Sequence, residues 1–224
     1  MIEDLMNFDK YQHCFAVWCP ADAEAGVLAR CAEKTIESGA DVVSVMPEAV
    51  NVVWPWLENK NVKIMGRFVL PDKKITEKQI SDVTLQINKV LKNGADGAQV
   101  FIRYAALPDL VEQTFVIRDD LFFYKDLSIG LDMSEIAASE WVDVFAHLRK
   151  INASSVLFVF AKGAKANADF VGRLYGMLKA WTDSNNFDLH FALGPNFMRI
   201  EQAIQMVEEV RPGLIPRMKF WVNN

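Results

Sequence analysis

Two kinds of apolar run take turns along the 224-residue chain. Residues 14–19 form a nearly unbroken apolar stretch ended by Pro20, after which Ala25, Leu28, Ala32, Thr35 and Ile36 recur at helical spacing until Gly39. The alternation repeats. Residues 41–46 and 62–68 read as strands, separated by a poorly patterned helical stretch around residues 54–57. Thr76 stands three residues before Gln79 in a capping-box arrangement, and Ile80, Val83, Ile87, Val90 and Leu91 mark one face of a helix that ends at Gly94. A strand at 98–103 follows, and then a stretch over residues 105–126 that begins like a helix and carries mixed signals. From residue 127 the rhythm returns, with strands at 127–132, 156–160, 189–193 and 217–222. Between them lie the helical stripes Trp141/Val144/Phe145/Leu148/Ile151, Phe170/Leu174/Met177/Leu178/Trp181 and Ile200/Ala203/Ile204/Val207/Val210.

The tripeptide Gly-Ala-Asp closes two of these helices, at residues 39–41 and 94–96, each time just before a strand. A glycine there takes the left-handed conformation that stops a helix, so the join marks a repeated βα unit. The strands are mostly continuous apolar runs, as required when both faces are covered, and no tight Asn-Gly or Asp-Gly hairpin links them. Parallel crossover connections follow. Eight such units in one domain spanning residues 1–224 predict a (β/α)8 barrel; the alternative is a doubly wound open parallel sheet. No Gly-x-Gly-x-x-Gly follows the first strand, which favours the barrel. The chain lacks a helix after its last strand, so the outer face of strands eight and one calls for cover from residues 2–11 or from another subunit. A homodimer is the expected assembly.

Composition narrows the partners. A net charge of −5 without a long like-charge block gives no footprint for nucleic acid or for an anionic membrane, and no apolar run is long enough to cross a bilayer. Cys14, Cys19 and Cys31 form no CxxC pair and no metal-ligand spacing, so they read as reduced thiols of a cytoplasmic protein. The first residues are acidic where a secretory leader would be basic. Neither a metal nor a cofactor is expected.

In parallel α/β folds reactive side chains gather at the C-terminal ends of the strands. Those ends present Glu48, Arg67, Arg103, Asp132, Lys162 and Asn196, with Arg199 just beyond at the start of a helix. A mouth of mixed charge suits a small anionic carbonyl substrate. Lys162 lies two residues beyond Phe160 and four beyond Phe158, so alternation puts it on their face if the strand reaches that far. A lysine amine among low-dielectric walls loses proton affinity and becomes a nucleophile toward carbonyls; a solvated lysine beyond Gly163's turn is the other reading. Glu48 and Asp132 would serve as general acid and base, or pair with Arg67 and Arg103 as a polar plug. Arg67 would clamp a carboxylate or phosphate, and the turn before Asn196 offers backbone N–H groups to an anion. His13, His147 and His190 read as structural, and Cys19 as a minor candidate thiol.

This set, with Lys162 after strand six, Glu48 after strand two, Arg67 after strand three and Arg199 after strand seven, resembles the class I Schiff-base lyases built on (β/α) barrels, aldolases and type I dehydroquinate dehydratases among them. The resemblance implies an imine on Lys162, substrate held by Glu48 and Arg67, and a carboxylate bound by Arg199. The dehydratases carry a histidine after strand five where this chain has residues 132–135, Asp-Met-Ser-Glu, so dehydroquinate is not the expected substrate. A lyase acting on a keto acid or sugar-derived carbonyl is the leading expectation. A non-catalytic barrel that binds a ligand or a subunit, and a metal-assisted isomerase using Glu48, Asp132 and Glu135, stand beside it.

Overall fold

Parallel strands and helices alternate through the computed structural model, which describes residues 14–117, 126–160, 167–194 and 197–223. The strands are β1 (Phe15–Trp18), β2 (Val42–Val45), β3 (Lys63–Leu70), β4 (Gly97–Ile102), β5 (Asp126–Asp132), β6 (Ser155–Val159), β7 (Asp188–Ala192) and β8 (Met218–Asn223). Between them run α1 (Ala25–Glu37), α2 (Val50–Leu57), α3 (Glu77–Lys92), α4 (Leu107–Ile117), α5 (Trp141–Ile151), α6 (Asn167–Ala180) and α7 (Phe197–Val210). Each strand pairs with the next, and β8 pairs with β1 through Phe15 and Phe220, which closes the barrel and excludes the open-sheet alternative. The uncertain stretch begins as α4; residues 118–125 lie outside the described residues.

Local chemistry sets the boundaries. The Thr76 side chain accepts from the Gln79 N–H, and Gln79 Oε1 accepts from the Thr76 N–H at 2.9 Å, so α3 starts where the sequence places it. Gly39 and Gly94 have φ of 69° and 103°, the left-handed values that end α1 and α3. Gly94 is fixed a second way, because a Cβ there would fall 2.2 Å from the Trp54 ring of α2. Asn152 does the same work after α5 with φ of 56°, a conformation that asparagine tolerates better than most residues.

Alternation along each strand sends one set of side chains outward to the helices and the other into the lumen. Val17, Val43, Ile64, Phe68, Val100, Ile129, Phe158, Phe191 and Phe220 go outward and join the buried stripes of the helices in one continuous core. Ala16, Val42, Met65, Leu157, Ala192 and Trp221 pack against one another in the lumen, with Trp18, Phe101 and Val159 above them. The outer faces of β1 and β8 are covered, since Phe15, Val17, Phe220 and Val222 are all at most 5% exposed. The uncovered face on which the homodimer expectation rested is therefore absent among the described residues; the proposed covering segment, residues 2–11, lies outside them.

At the N-terminal end of the barrel three ion pairs tie strand starts together. Lys219 contacts both Asp41 oxygens at 2.6 and 2.8 Å, Lys63 reaches Asp126 at 2.6 Å, and Arg217 reaches Asp188 at 3.2 Å. Hydrogen bonding to Asp126 raises the Lys63 pKa, against the lowering effect of burial. Each pair is partly exposed and contributes on the order of 0–1 kcal/mol.

A matched pair of glycine substitutions tests the lumen packing. A Cβ on Gly97 would lie 2.3 Å from the Asp126 carbonyl oxygen of the neighbouring strand, whereas one on Gly26 would meet nothing within 4 Å. Gly97→Ala is expected to lower unfolding stability by about 1–3 kcal/mol in urea denaturation. Gly26→Ala is expected to leave it unchanged or slightly raised.

Candidate functional site

A cavity of about 620 Å³ opens at the C-terminal mouth of the barrel. Its walls are the last residue of β1, Trp18, with Cys19, Pro20 and Ala21 of the following turn, Arg67 and Val69 of β3, Phe101 of β4 and Val159 of β6. Trp18 stacks on Phe101 with centroids 5.5 Å apart and stands 6.4 Å from Trp221 in the layer below. Phe101 lies across Gly130, where a Cβ would come within 2.4 Å of its ring. The glycine on β5 thus makes room for the aromatic floor of the mouth.

Arg67 is 8% exposed and is the charged side chain among the described wall residues. Its Nη2 donates to the Cys19 carbonyl at 2.7 Å, and its guanidinium carbon stands 5.0 Å above the Trp18 ring. Burial lowers its pKa from the ordinary value, while the charge of Glu48 opposes that shift; an arginine so perturbed stays cationic. One backbone bond and one ring face leave further N–H groups of the fork available to an anion. Below it, Ser44 donates to Gln99 Oε1 at 3.0 Å, and the Gln99 amide nitrogen has no hydrogen-bond partner.

The other predicted residues scatter around this frame. Glu48 sits exposed in the 3-10 turn Pro47–Ala49, near enough for its charge to act on Arg67. Asp132 is exposed at the end of β5, and its Oδ1 accepts from the Ser134 N–H at 2.8 Å. Arg103 forms an ion pair with Glu135 at 2.6 Å, and Glu135 also accepts from the Tyr104 N–H at 3.0 Å. Arg199 is buried, its guanidinium over the Phe160 ring at 5.0 Å and donating to the Phe160 carbonyl at 3.4 Å. It is not among the wall residues of the mouth cavity. Lys162 and Asn196 lie outside the described residues.

Two expectations need correction. Among the described residues the cavity wall is apolar and aromatic around the cation Arg67, with Glu48 and Asp132 exposed outside the wall and Glu135 ion-paired. Phe158 and Phe160 face the helices, where they pack on Trp141 and Phe170, so alternation counted from them leads away from the lumen. The lumen-facing residues of β6 are Leu157 and Val159. Sequence reasoning missed Trp18, Val69, Phe101 and Val159 as site residues, although alternation from Arg67 reaches Val69 directly.

Cys19 reaches the cavity wall but is no ready nucleophile. A hydrogen bond with Cys31 and then burial raise its pKa, which keeps the thiol protonated. Among the described residues no group of three or more His, Cys, Asp or Glu side chains has the geometry to hold a metal ion.

A second, smaller chamber of about 120 Å³ lies at the opposite end, lined by the ion-paired Asp41, Lys63, Asp126, Asp188 and Lys219 together with Ser128, His190 and Trp221. His190 Nδ1, Trp221 Nε1 and Ser128 Oγ are buried there without hydrogen-bond partners. Burial, and secondarily the charge of Lys219, push the His190 pKa down to about 3.

No protein-family model matches the chain, and no curated protein is similar to it in sequence. Solved structures share its architecture. An aldolase designated QR15 superposes with a TM-score of 0.70 at 12% identity, over 96% of this chain and 91% of that one. A tetrameric deoxyribose-phosphate aldolase from Aeropyrum pernix gives 0.68 at 11% identity, over 99% and 87%. An orotidine 5'-phosphate decarboxylase from Pyrococcus horikoshii gives 0.57 at 12% identity, over 92% and 88%. At such identities the likeness establishes the (β/α)8 barrel that aldolases use, and the chemistry rests on this chain's own residues.

The buried histidine carries a pH signature. His190 is neutral when folded and takes up a proton more readily when unfolded, so its contribution is present above its ordinary value of 6.5 and is lost as pH falls toward about 3. Denaturant midpoints measured across that window should fall more steeply for the native protein than for His190→Gln. The difference is expected to approach about 1.4 kcal/mol per pH unit.

Proposed function

We propose that the protein is a lyase of the aldolase type, acting on a small keto acid or sugar-derived carbonyl compound at the C-terminal mouth. The observation that carries this reading is the mouth cavity of about 620 Å³ with a buried guanidinium in its wall. A concave apolar site with one fixed cation is suited to an organic anion, and Arg67 is the group that would hold its carboxylate or phosphate.

Lys162 is assigned the nucleophile's role. Its amine attacks the substrate carbonyl carbon, water leaves from the carbinolamine, and the resulting iminium accepts the electron pair released when a neighbouring bond to carbon breaks. Support comes from position: β6 ends at Val159 in the cavity wall, and the chain between it and α6 carries Lys162 and Lys165. Glu48 is the favoured proton acceptor for that step because its charge already reaches Arg67, with Asp132 at the rim as the other carboxylate. The described wall residues contribute neither amine nor carboxylate, and that observation favours the second reading, a barrel that binds such an anion without transforming it.

Borohydride reduction in the presence of 2-keto acids and ketose phosphates, followed by peptide mapping, separates the two. A reduced adduct confined to Lys162 is the expected result; binding without any adduct assigns the protein to the second reading. Arg67→Ala is expected to raise the KM, or the dissociation constant where no turnover occurs, roughly 10- to 100-fold, the weight of a hydrogen bond to a charged group. Arg67→Lys should recover part of that loss, and an unchanged circular dichroism spectrum should accompany both.

A further inference from the structure

The polarity of the mouth selects among anionic carbonyl compounds. From Trp18, Arg67, Val69, Phe101 and Val159 we infer that the preferred ligand is a 2-oxo acid with an aromatic or branched aliphatic body, and not a polyhydroxylated sugar phosphate. The inference rests on the proposed site and sharpens it.

The walls divide into one anchor and an apolar enclosure. Arg67 supplies the anion-binding group, held against Trp18 by its ring face and by the Cys19 carbonyl. Around it stand Trp18, Pro20, Ala21, Val69, Phe101 and Val159, which together offer side-chain hydrogen bonding only through the indole N–H. That N–H is itself buried without a partner. Of the charged groups nearby, Asp132 accepts from the Ser134 N–H and Arg103 pairs with Glu135.

A sugar phosphate entering this space gives up water at each hydroxyl and, beyond Arg67, finds no accessible polar side chain among the described wall residues to replace it. Protein substitutions put that loss at about 1–3 kcal/mol for each unpaired hydroxyl, whereas a buried methylene gains about 0.8 kcal/mol. Val69 shows the same preference from the protein's side. It is an inward-facing β3 residue, two beyond Arg67, yet it is 59% exposed, so an apolar body seated on the Trp18–Phe101 floor would cover it. The volume points the same way, because a three-carbon acid held at Arg67 would leave most of about 620 Å³ to water against apolar walls.

The test is isothermal titration calorimetry of the full chain with phenylpyruvate, 4-methyl-2-oxopentanoate, pyruvate and 2-deoxyribose 5-phosphate, alongside the variants Val69→Asn and Val159→Asn. Phenylpyruvate and 4-methyl-2-oxopentanoate are expected to bind at least 10-fold more tightly than pyruvate and than the sugar phosphate. Either variant should narrow that ratio, and Trp18→Leu should weaken phenylpyruvate more than 4-methyl-2-oxopentanoate. Equal or tighter binding of the sugar phosphate overturns the inference, as does the absence of heat with every acid. Calorimetry does not require an imine, so the two readings fail separately. Tight phenylpyruvate binding without a borohydride adduct removes the lyase and keeps the specificity. An adduct on Lys162 formed best with the sugar phosphate keeps the lyase and removes the specificity.

Discussion

The stack of Trp18 on Phe101 is the contact on which the upper half of the barrel depends. Two large rings meet across a lumen closed by eight strands, and they fit because Gly130 offers no Cβ beneath Phe101 and because Ala16 and Ala192 keep the layer below narrow. Large side chains set against small ones is how a closed barrel fills itself without a central void. Sealing the lumen at that height makes everything above it a cavity. It also gives Arg67 a platform, since the guanidinium rests on the Trp18 face and would otherwise be a charge held in low dielectric with a single carbonyl for company.

Below the stack the polarity inverts. The N-terminal end is ringed by Lys219–Asp41, Lys63–Asp126 and Arg217–Asp188, pairs that satisfy one another at strand starts. His190 borders these charges and stays neutral because it is buried and because Lys219 opposes a second cation nearby. These N-terminal charges are thus held in pairs at the end of the barrel away from the mouth. Among the described residues the mouth wall keeps one cation and is otherwise apolar.

Much of the architecture was legible because it depends on local signals of definite geometry. The Thr76 capping box and the left-handed glycines at 39 and 94 each act through their own backbone, and the continuous apolar strands follow from burial on both faces. The position of Arg67 at the C-terminal mouth was legible because it stands late in a long strand. The face of a strand is a different kind of fact. In β6 nearly every residue is apolar, so periodicity does not say which set enters the lumen, and the register that aims Phe158 at Trp141 comes from pairing with β5 and β7. Alternation counted from Phe158 therefore starts on the helix-facing side, and Lys162 itself lies outside the described residues. Asn152 was missed because asparagine reaches the left-handed region only where the surrounding fold requires it, and the ion pairing of Arg103 with Glu135 because turn geometry, not spacing, brings them together.

Position on the frame then divides the labour of the mouth. Trp18, Arg67, Phe101 and Val159 stand on strands of the closed barrel, so the sheet fixes their places in the cavity wall. Glu48 and Asp132 stand at or beyond strand ends in turns, and Lys162 follows β6 in the sequence, so these three groups belong to the connections between elements. A barrel so divided can keep its ligand while its reaction changes, because replacing the turns leaves the aromatic floor and its arginine untouched. That is a physical reason why a shared architecture at 12% identity includes both an aldolase and a decarboxylase.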